Sequence, residues 1–238
     1  MPAENNHART MAREASNGFR ALIRHSIQET RKGNGRGVVL PRLVDMQKRG
    51  VPGLTDEVME AHLFGMVTGF VPTNLLVGGN ILETLLRKER FMARTRAAAR
   101  ADDDGLLWRC LQEALRFRFF NPGPFRVCAQ DYTLAAGTGR ETRIAKGDKL
   151  VVMTPSAMFD PRRVACPHEF NPDRPADDYL IFGYGQHWCL GAYIAIAQLR
   201  QTFKALLAKP GLQRAPGDDG QLKYITVYPA NLWLEFDA

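Results

Sequence analysis

Cysteine is scarce in this chain, with four in 238 residues: Cys110, Cys128, Cys166 and Cys189. So few thiols exclude a disulfide framework and fit a reducing, cytoplasmic setting. A run of about 20 apolar residues is also lacking, so no transmembrane segment is expected. The opening stretch MPAENNHARTMAREASNG is polar and lacks the apolar centre of a signal peptide. There is no internal repeat and no clean linker. Zinc-finger spacing and RNA-binding signatures are missing, so no nucleic-acid partner is expected.

What remains is ordinary for a globular protein, 45% hydrophobic and 24% charged. The net charge is +7. The densest basic run, RKERFMARTRAAAR from Arg87 to Arg100, lies in an alanine-rich, helix-favouring stretch and reads as a solvated helix face.

Periodicity predicts a mainly α fold with minor β. Residues 1–18 are expected to be a flexible tail. Phe19, Leu22, Ile23 and Ile27 then follow helical spacing up to the break GNGRG. A short helix over LPRLVDMQKRG comes next. A long apolar helix opens at Thr55, a good N-cap followed by acids, and its hydrophobicity predicts burial in the core. It contains Pro72, although proline costs about 3 kcal/mol inside a helix. LLWRCLQEALRF is another helix. FRVCAQDYTL, TRIAKGDKLVVM and LWLEFDA read as short strands, and FDPRRVACPHEFNPDRPADD as an ordered irregular loop. AYIAIAQLRQTFKALLA returns to helix.

The stretch FGYGQHWCLG, Phe182 to Gly191, carries the chemistry. Gly183, Gly185 and Gly191 allow tight turns and close approach to a flat ligand. Cys189 stands at the start of a helix, where the dipole favours a thiolate. Phe182 and Trp188 are placed to shield the sulfur, and His187 to reach an acidic ligand group. Together they suit an anionic sulfur ligand to a metal. Zinc bound by Cys166, His168, His187 and Cys189 is the competing possibility, but one intervening residue per pair is short for a structural zinc site. The other three cysteines are expected to be ordinary buried thiols.

FGYGQHWCLG resembles the haem-binding signature of the cytochrome P450 superfamily. Further features occur in that family's order: EALR, a Glu-x-x-Arg pair at Glu113 and Arg116; Arg126; KGDKLVV; FNPDRP, with Arg174 completing a Glu-Arg-Arg cluster; and the long central helix. The resemblance implies a P450-like C-terminal core of central helix, Glu-x-x-Arg helix, irregular meander, cysteine loop and following helix. It spans residues 19–238 as one truncated haem domain. The implied cofactor is haem b (iron protoporphyrin IX), with Cys189 as iron ligand and Arg126 and His187 on its propionates. Phe182, Gly183, Gly185 and Gly191 would shape the loop, while Glu113, Arg116 and Arg174 form a structural cluster. The implied activity is that of a haem-thiolate oxidoreductase, a monooxygenase or peroxygenase on a small apolar organic substrate.

Two departures qualify this. The family carries an acid–alcohol pair in its central helix, where this chain reads TGFVPTN. Val71 replaces the acid and Pro72 the first alcohol, leaving Thr73 as the catalytic candidate. Valine cannot relay a proton. Either Thr73 with ordered water serves dioxygen and an electron-donor protein, or the oxidant is a peroxide, towards which the missing pair tilts the balance. The second departure is the absence of the family's N-terminal half. A non-catalytic haem-binding fragment needing that half or a fusion partner is the alternative, with an exposed apolar surface expected around the central helix.

Overall fold

The structure, a computed structural model, describes residues 2–121, 123–225 and 228–237. Met1 of the expected tail, and Pro122, Thr226, Val227 and Ala238 of the expected haem domain, lie outside the described residues. The chain divides into two compact units, Met1–Pro72 and Thr73–Ala238. The single domain expected over 19–238 therefore holds a unit boundary, and it falls inside a helix rather than in a linker.

The first unit contains α1 (Pro2–Glu29), α2 (Val39–Lys48) and the first part of α3 (Asp56–Arg87). Helix α1 covers most of the expected tail. Residues 6–18 carry mostly exposed side chains, so apolar periodicity gives no signal there. Alanine, arginine and glutamate nonetheless favour the helical backbone. A π-helical turn, Thr30–Asn34, ends α1, and Gly33 at φ 93° breaks the direction at the expected place. Ile23, Ile27 and Met59 are buried, with Phe19, Leu40, Leu43 and Phe64 packed on them. The Thr55 hydroxyl caps α3 by accepting from the Val58 N–H at 3.3 Å. Ion pairs reinforce this unit: Arg20 donates to Glu60 at 2.8 Å, and Arg31 to Asp56 at 2.9 Å. Hydrogen bonds from Arg24 and then Arg20 hold the Glu60 carboxyl down to about 2. Arg31 and then Gln47 do the same for Asp56.

The second unit holds the end of α3 with α4 (Glu89–Arg100), α5 (Asp104–Phe117) and α7 (Ala192–Leu207). Asp103 caps α5 by accepting from the Leu106 N–H at 2.8 Å. Val77, Ile81 and Leu85 of α3, Phe91 of α4, Leu107 and Leu111 of α5, and Leu199, Phe203 and Leu207 of α7 fill one core. Their spacing of four residues along α3, α5 and α7 puts one stripe of each of these helices inward. The basic run on α4 does form a solvated face: Arg94 pairs with Asp173 at 2.8 Å, while Phe91, Met92 and Thr95 point inward.

Among the described residues, eight short strands pair into four antiparallel ribbons. β1 (Phe125–Val127) pairs with β4 (Lys149–Val151), placing Arg126 opposite Leu150. β2 (Tyr132–Leu134) pairs with β3 (Thr142–Ile144). Beyond the short α6 (Thr154–Met158) and α7, β5 (Gln213–Arg214) pairs with β8 (Leu234–Glu235), and β6 (Lys223–Ile225) with β7 (Tyr228–Asn231). Residues 159–184 lack regular structure apart from one 3-10 turn, Ala176–Asp178.

Helix α3 departs from expectation twice. Its ends are buried but residues 61–76 are not, and Val71 and Leu75 are 52% and 71% exposed. Hydropathy records composition, not what packs against it. The exposed apolar surface foreseen around this helix is present. By length and composition, moreover, α3 is long and apolar enough to cross a membrane, so the sequence-based exclusion was too strong. The polar interruptions His62, Thr68, Thr73 and Asn74 break the apolar run without adding an acid, lysine or arginine.

Candidate haem-thiolate site

Helix α5 positions the central cluster. Glu113 and Arg116 lie three apart, one turn, so their side chains meet. Both are fully buried, and Arg174 of the irregular segment is nearly so. Glu113 accepts from Arg116 at 3.0 and 2.7 Å, from Arg174 Nε at 3.1 Å, from the Asn171 N–H at 3.1 Å and from the Tyr179 hydroxyl at 2.8 Å. The arginines' other N–H groups are also used. Arg116 donates to the carbonyls of Met158 and Glu169, each at 3.1 Å. Arg174 donates to the carbonyls of Ala165, Cys166 and Glu169. Burial opposes ionisation of Glu113, but the Arg116 hydrogen bond, with Asn171 and Tyr179, holds its carboxyl below the ordinary range. Burial, and then the Glu113 charge, push the Tyr179 phenol strongly up, so it stays a donor. The cluster therefore pins the irregular segment to α5 through charge-assisted bonds. Sequence analysis found the three charged residues and missed Tyr179.

The cysteine loop follows directly. The Cys189 N–H donates to the Phe182 carbonyl at 2.8 Å, closing the loop on itself. Inside it, the N–H groups of His187 and Trp188 donate to Tyr184 and Gly185 at 3.3 and 3.0 Å. Gly183 has φ 79°, and a Cβ there would stand 3.0 Å from the His187 carbonyl oxygen. Gly185 has φ 60°, but open space beside it. A methyl on Gly191 would lie 3.8 Å from Cys189 Sγ. Cys189 is exposed and immediately precedes the first turn of α7, with the Ala192 N–H donating to its carbonyl at 3.2 Å. Among the described residues its thiol makes no hydrogen bond. Phe182 stacks on Trp108 of α5, centroids 6.0 Å apart, and meets Trp188 edge-on at 5.8 Å. The shielding expected of these rings is incomplete, because Trp188 is itself 40% exposed.

Arg126 and His187 are exposed on β1 and on the loop. The Arg126 guanidinium donates to the Phe125 carbonyl at 2.8 Å and has no carboxylate partner among the described residues. Thr73 is half-buried beside Pro72, and among the described residues its hydroxyl makes no hydrogen bond. Among the described residues, neither Arg126 nor Thr73 contacts the loop through a hydrogen bond. No group of three or more metal-ligating side chains forms among the described residues, so the zinc possibility has no cluster behind it. Of the other cysteines, only Cys110 is buried, which pushes its thiol up to about 11. Cys128 is half-buried and donates to the Gln130 carbonyl at 2.9 Å, and Cys166 is exposed at φ 44°. The expectation of three buried thiols therefore holds for Cys110 on the inward stripe of α5 and fails for Cys128, just after β1, and Cys166, in the irregular segment, because neither stands on an element with an apolar inward stripe.

An unencumbered thiol on a glycine-hinged loop, set before a helix and anchored by a buried acid–arginine cluster, is the architecture of a haem-thiolate protein. The donor set fits that group: a soft sulfur for iron, a guanidinium and an imidazole with no carboxylate partner among the described residues, and exposed apolar neighbours for a flat macrocycle. The cytochrome P450 family model matches residues 105–230, and the chain belongs to that family. Among solved structures it resembles CalO2 at a TM-score of 0.78 with 26% identity, covering 94% of this chain and 54% of that one. Among curated proteins it is 29% identical over 177 residues to a bifunctional dioxygenase–epoxy alcohol synthase of Fusarium oxysporum, covering 72% of this chain and 14% of that protein. It is 35% identical over 98 residues to the linoleate diol synthase of Gaeumannomyces graminis, covering 41% of this chain and 8% of that protein. The chain thus spans less than a fifth of the length of these two curated relatives.

Proposed function

We propose that this chain is the haem-binding core of a haem-thiolate oxygenase that takes a hydroperoxide of a small apolar organic molecule and rearranges it. The observation that carries this is the turn Val71–Pro72–Thr73 of α3, which offers no carboxylate to relay protons to dioxygen. A hydroperoxide arrives already reduced and needs no such relay. The relatives' names support the same chemistry. An unsaturated hydroperoxide, its epoxy alcohol and its diol are isomers, so interconverting them consumes no outside electrons.

In this proposal Cys189 holds the iron of haem b, and Arg126 and His187 bind the propionates by charge-assisted hydrogen bonds. A thiolate-ligated haem, when bound, supplies electron density that favours O–O cleavage. Gly183, Gly185 and Gly191 keep the backbone clear of the macrocycle, and Phe182 braces the loop against Trp108. The Thr73 hydroxyl donates a hydrogen bond to the substrate oxygen. Glu113, Arg116 and Arg174 touch no substrate and hold the loop's stem.

A second proposal is a haem-binding fragment that needs a further polypeptide segment for catalysis. The exposed apolar residues Phe125, Val127 and Val151 of the β1–β4 ribbon favour it. One experiment separates the readings. The haem-loaded chain is incubated with a doubly 18O-labelled linoleate hydroperoxide, without reductant, and products are analysed by mass spectrometry. Isomers retaining both labels support the rearranging enzyme. Turnover only with dioxygen and a reductase supports the monooxygenase, and no turnover in either arm supports the fragment.

A further inference from the structure

The structure assigns Tyr179 as a positioning residue for the Cys189 loop, acting through Glu113. Its bearing on haem rests on the function proposed above. Tyr179 follows the 3-10 turn Ala176–Asp178 and is the last residue before the stem Leu180–Phe182. Its hydroxyl donates to Glu113 Oε2 at 2.8 Å, across 66 residues of sequence. Glu113 is fully buried, held down by Arg116 and Arg174 on its other lone pairs. The tether therefore ends on a fixed point of α5 rather than on a mobile side chain.

The stem has two other anchors on that side, and both are apolar. Ile181 packs against the main core, and the Phe182 ring stacks on Trp108 of α5. Among the described residues, no side chain from Leu180 to Gly191 makes a hydrogen bond. Tyr179 thus supplies, among the described residues, the last directional side-chain bond before the loop and the one there that ends on Glu113. Apolar contacts tolerate sliding, whereas a short bond to an ionised carboxylate fixes angle and register. Phe182, three residues on, accepts the Cys189 N–H that closes the loop. Displacing the stem therefore displaces the atom that sets the cysteine's height. The buried side chain beside it, Asp178, is paired with Arg163 at 3.3 Å and does not touch Glu113, which makes it a control.

Hydrogen exchange on the full chain, with and without haem, tests this. Tyr179→Phe keeps the ring and removes the tether. About a tenfold rise in exchange at the Cys189 amide is expected, the size of losing one hydrogen bond to a charged group. Helix α5 should stay as protected as in the parent. Arg163→Ala should leave the loop unchanged. In the haem-loaded chain, the reduced carbon monoxide complex of Tyr179→Phe should lose its thiolate-type band several-fold faster than the parent, at temperatures where far-ultraviolet circular dichroism is constant. Parent-like exchange in the loop overturns the assignment. So does a rise shared by α5, which marks general destabilisation. A parent chain without the thiolate band refutes the haem proposal, and the exchange result without haem then decides the tether by itself.

Discussion

Glu113→Gln removes one negative charge from the most densely bonded point of the second unit. Five bonds converge on this carboxylate: two from Arg116, and one each from Arg174, Tyr179 and the Asn171 N–H. Glutamine keeps the shape but replaces one oxygen with an NH2 that faces donors. Arg116, with no exposed surface, and Arg174, 7% exposed, are left with uncompensated charge. Removing one partner of a buried pair costs about 3–5 kcal/mol. For a unit of this size that is a fall in melting temperature of about 6–20 °C. Arg94→Ala is the comparison, since its pair with Asp173 is 2.8 Å long but exposed. Such a pair contributes under about 1 kcal/mol. The assay is thermal unfolding followed by circular dichroism at 222 nm, parent and both variants side by side. A Glu113→Gln melting temperature within about 2 °C of the parent, or no lower than that of Arg94→Ala, refutes the reasoning.

Gly183→Ala meets a positive φ and the His187 carbonyl at 3.0 Å, so it should lose about 1–2 kcal/mol of stability and raise loop hydrogen exchange. Gly191→Ala, at φ −86° with its methyl 3.8 Å from Cys189 Sγ, should melt as the parent does. In the first unit, Glu60 and Asp56 are each held down to about 2 by their arginines. Carboxyls depressed on folding stabilise the native state above their unfolded range and lose that contribution as pH falls through the folded value. Helical signal should therefore be lost between about pH 4.5 and 2, and Glu60→Gln should shrink the change seen in an acid titration by circular dichroism.

Local regularities made most of this fold legible. A stripe repeating every three or four residues announced α5 and α7. Thr55 announced the start of α3, and glycine announced the break after α1. The Glu-x-x-Arg spacing is one helical turn, so Glu113 and Arg116 were visible together, and the resemblance supplied Arg174. Tyr179 was not visible, because its partner is remote in sequence and a lone tyrosine in an irregular segment has no periodicity. The helical first half of α1 was missed for a related reason: its side chains face solvent, so no apolar stripe marks it. The exposure of the middle of α3 depends on which surfaces meet it, which hydropathy does not encode. Arg126 and Thr73 follow from the resemblance alone, and among the described residues no hydrogen bond of either one ties it to the cysteine loop.

The direct measurement is the reduced carbon monoxide difference spectrum of the haem-loaded chain beside its Cys189→Ser variant. The parent should give a band typical of thiolate-ligated haem and the variant should not, because a hydroxyl is a poor iron ligand at neutral pH. A band that survives in Cys189→Ser contradicts the assignment of Cys189 as iron ligand. No band in the parent contradicts haem-thiolate chemistry for this chain.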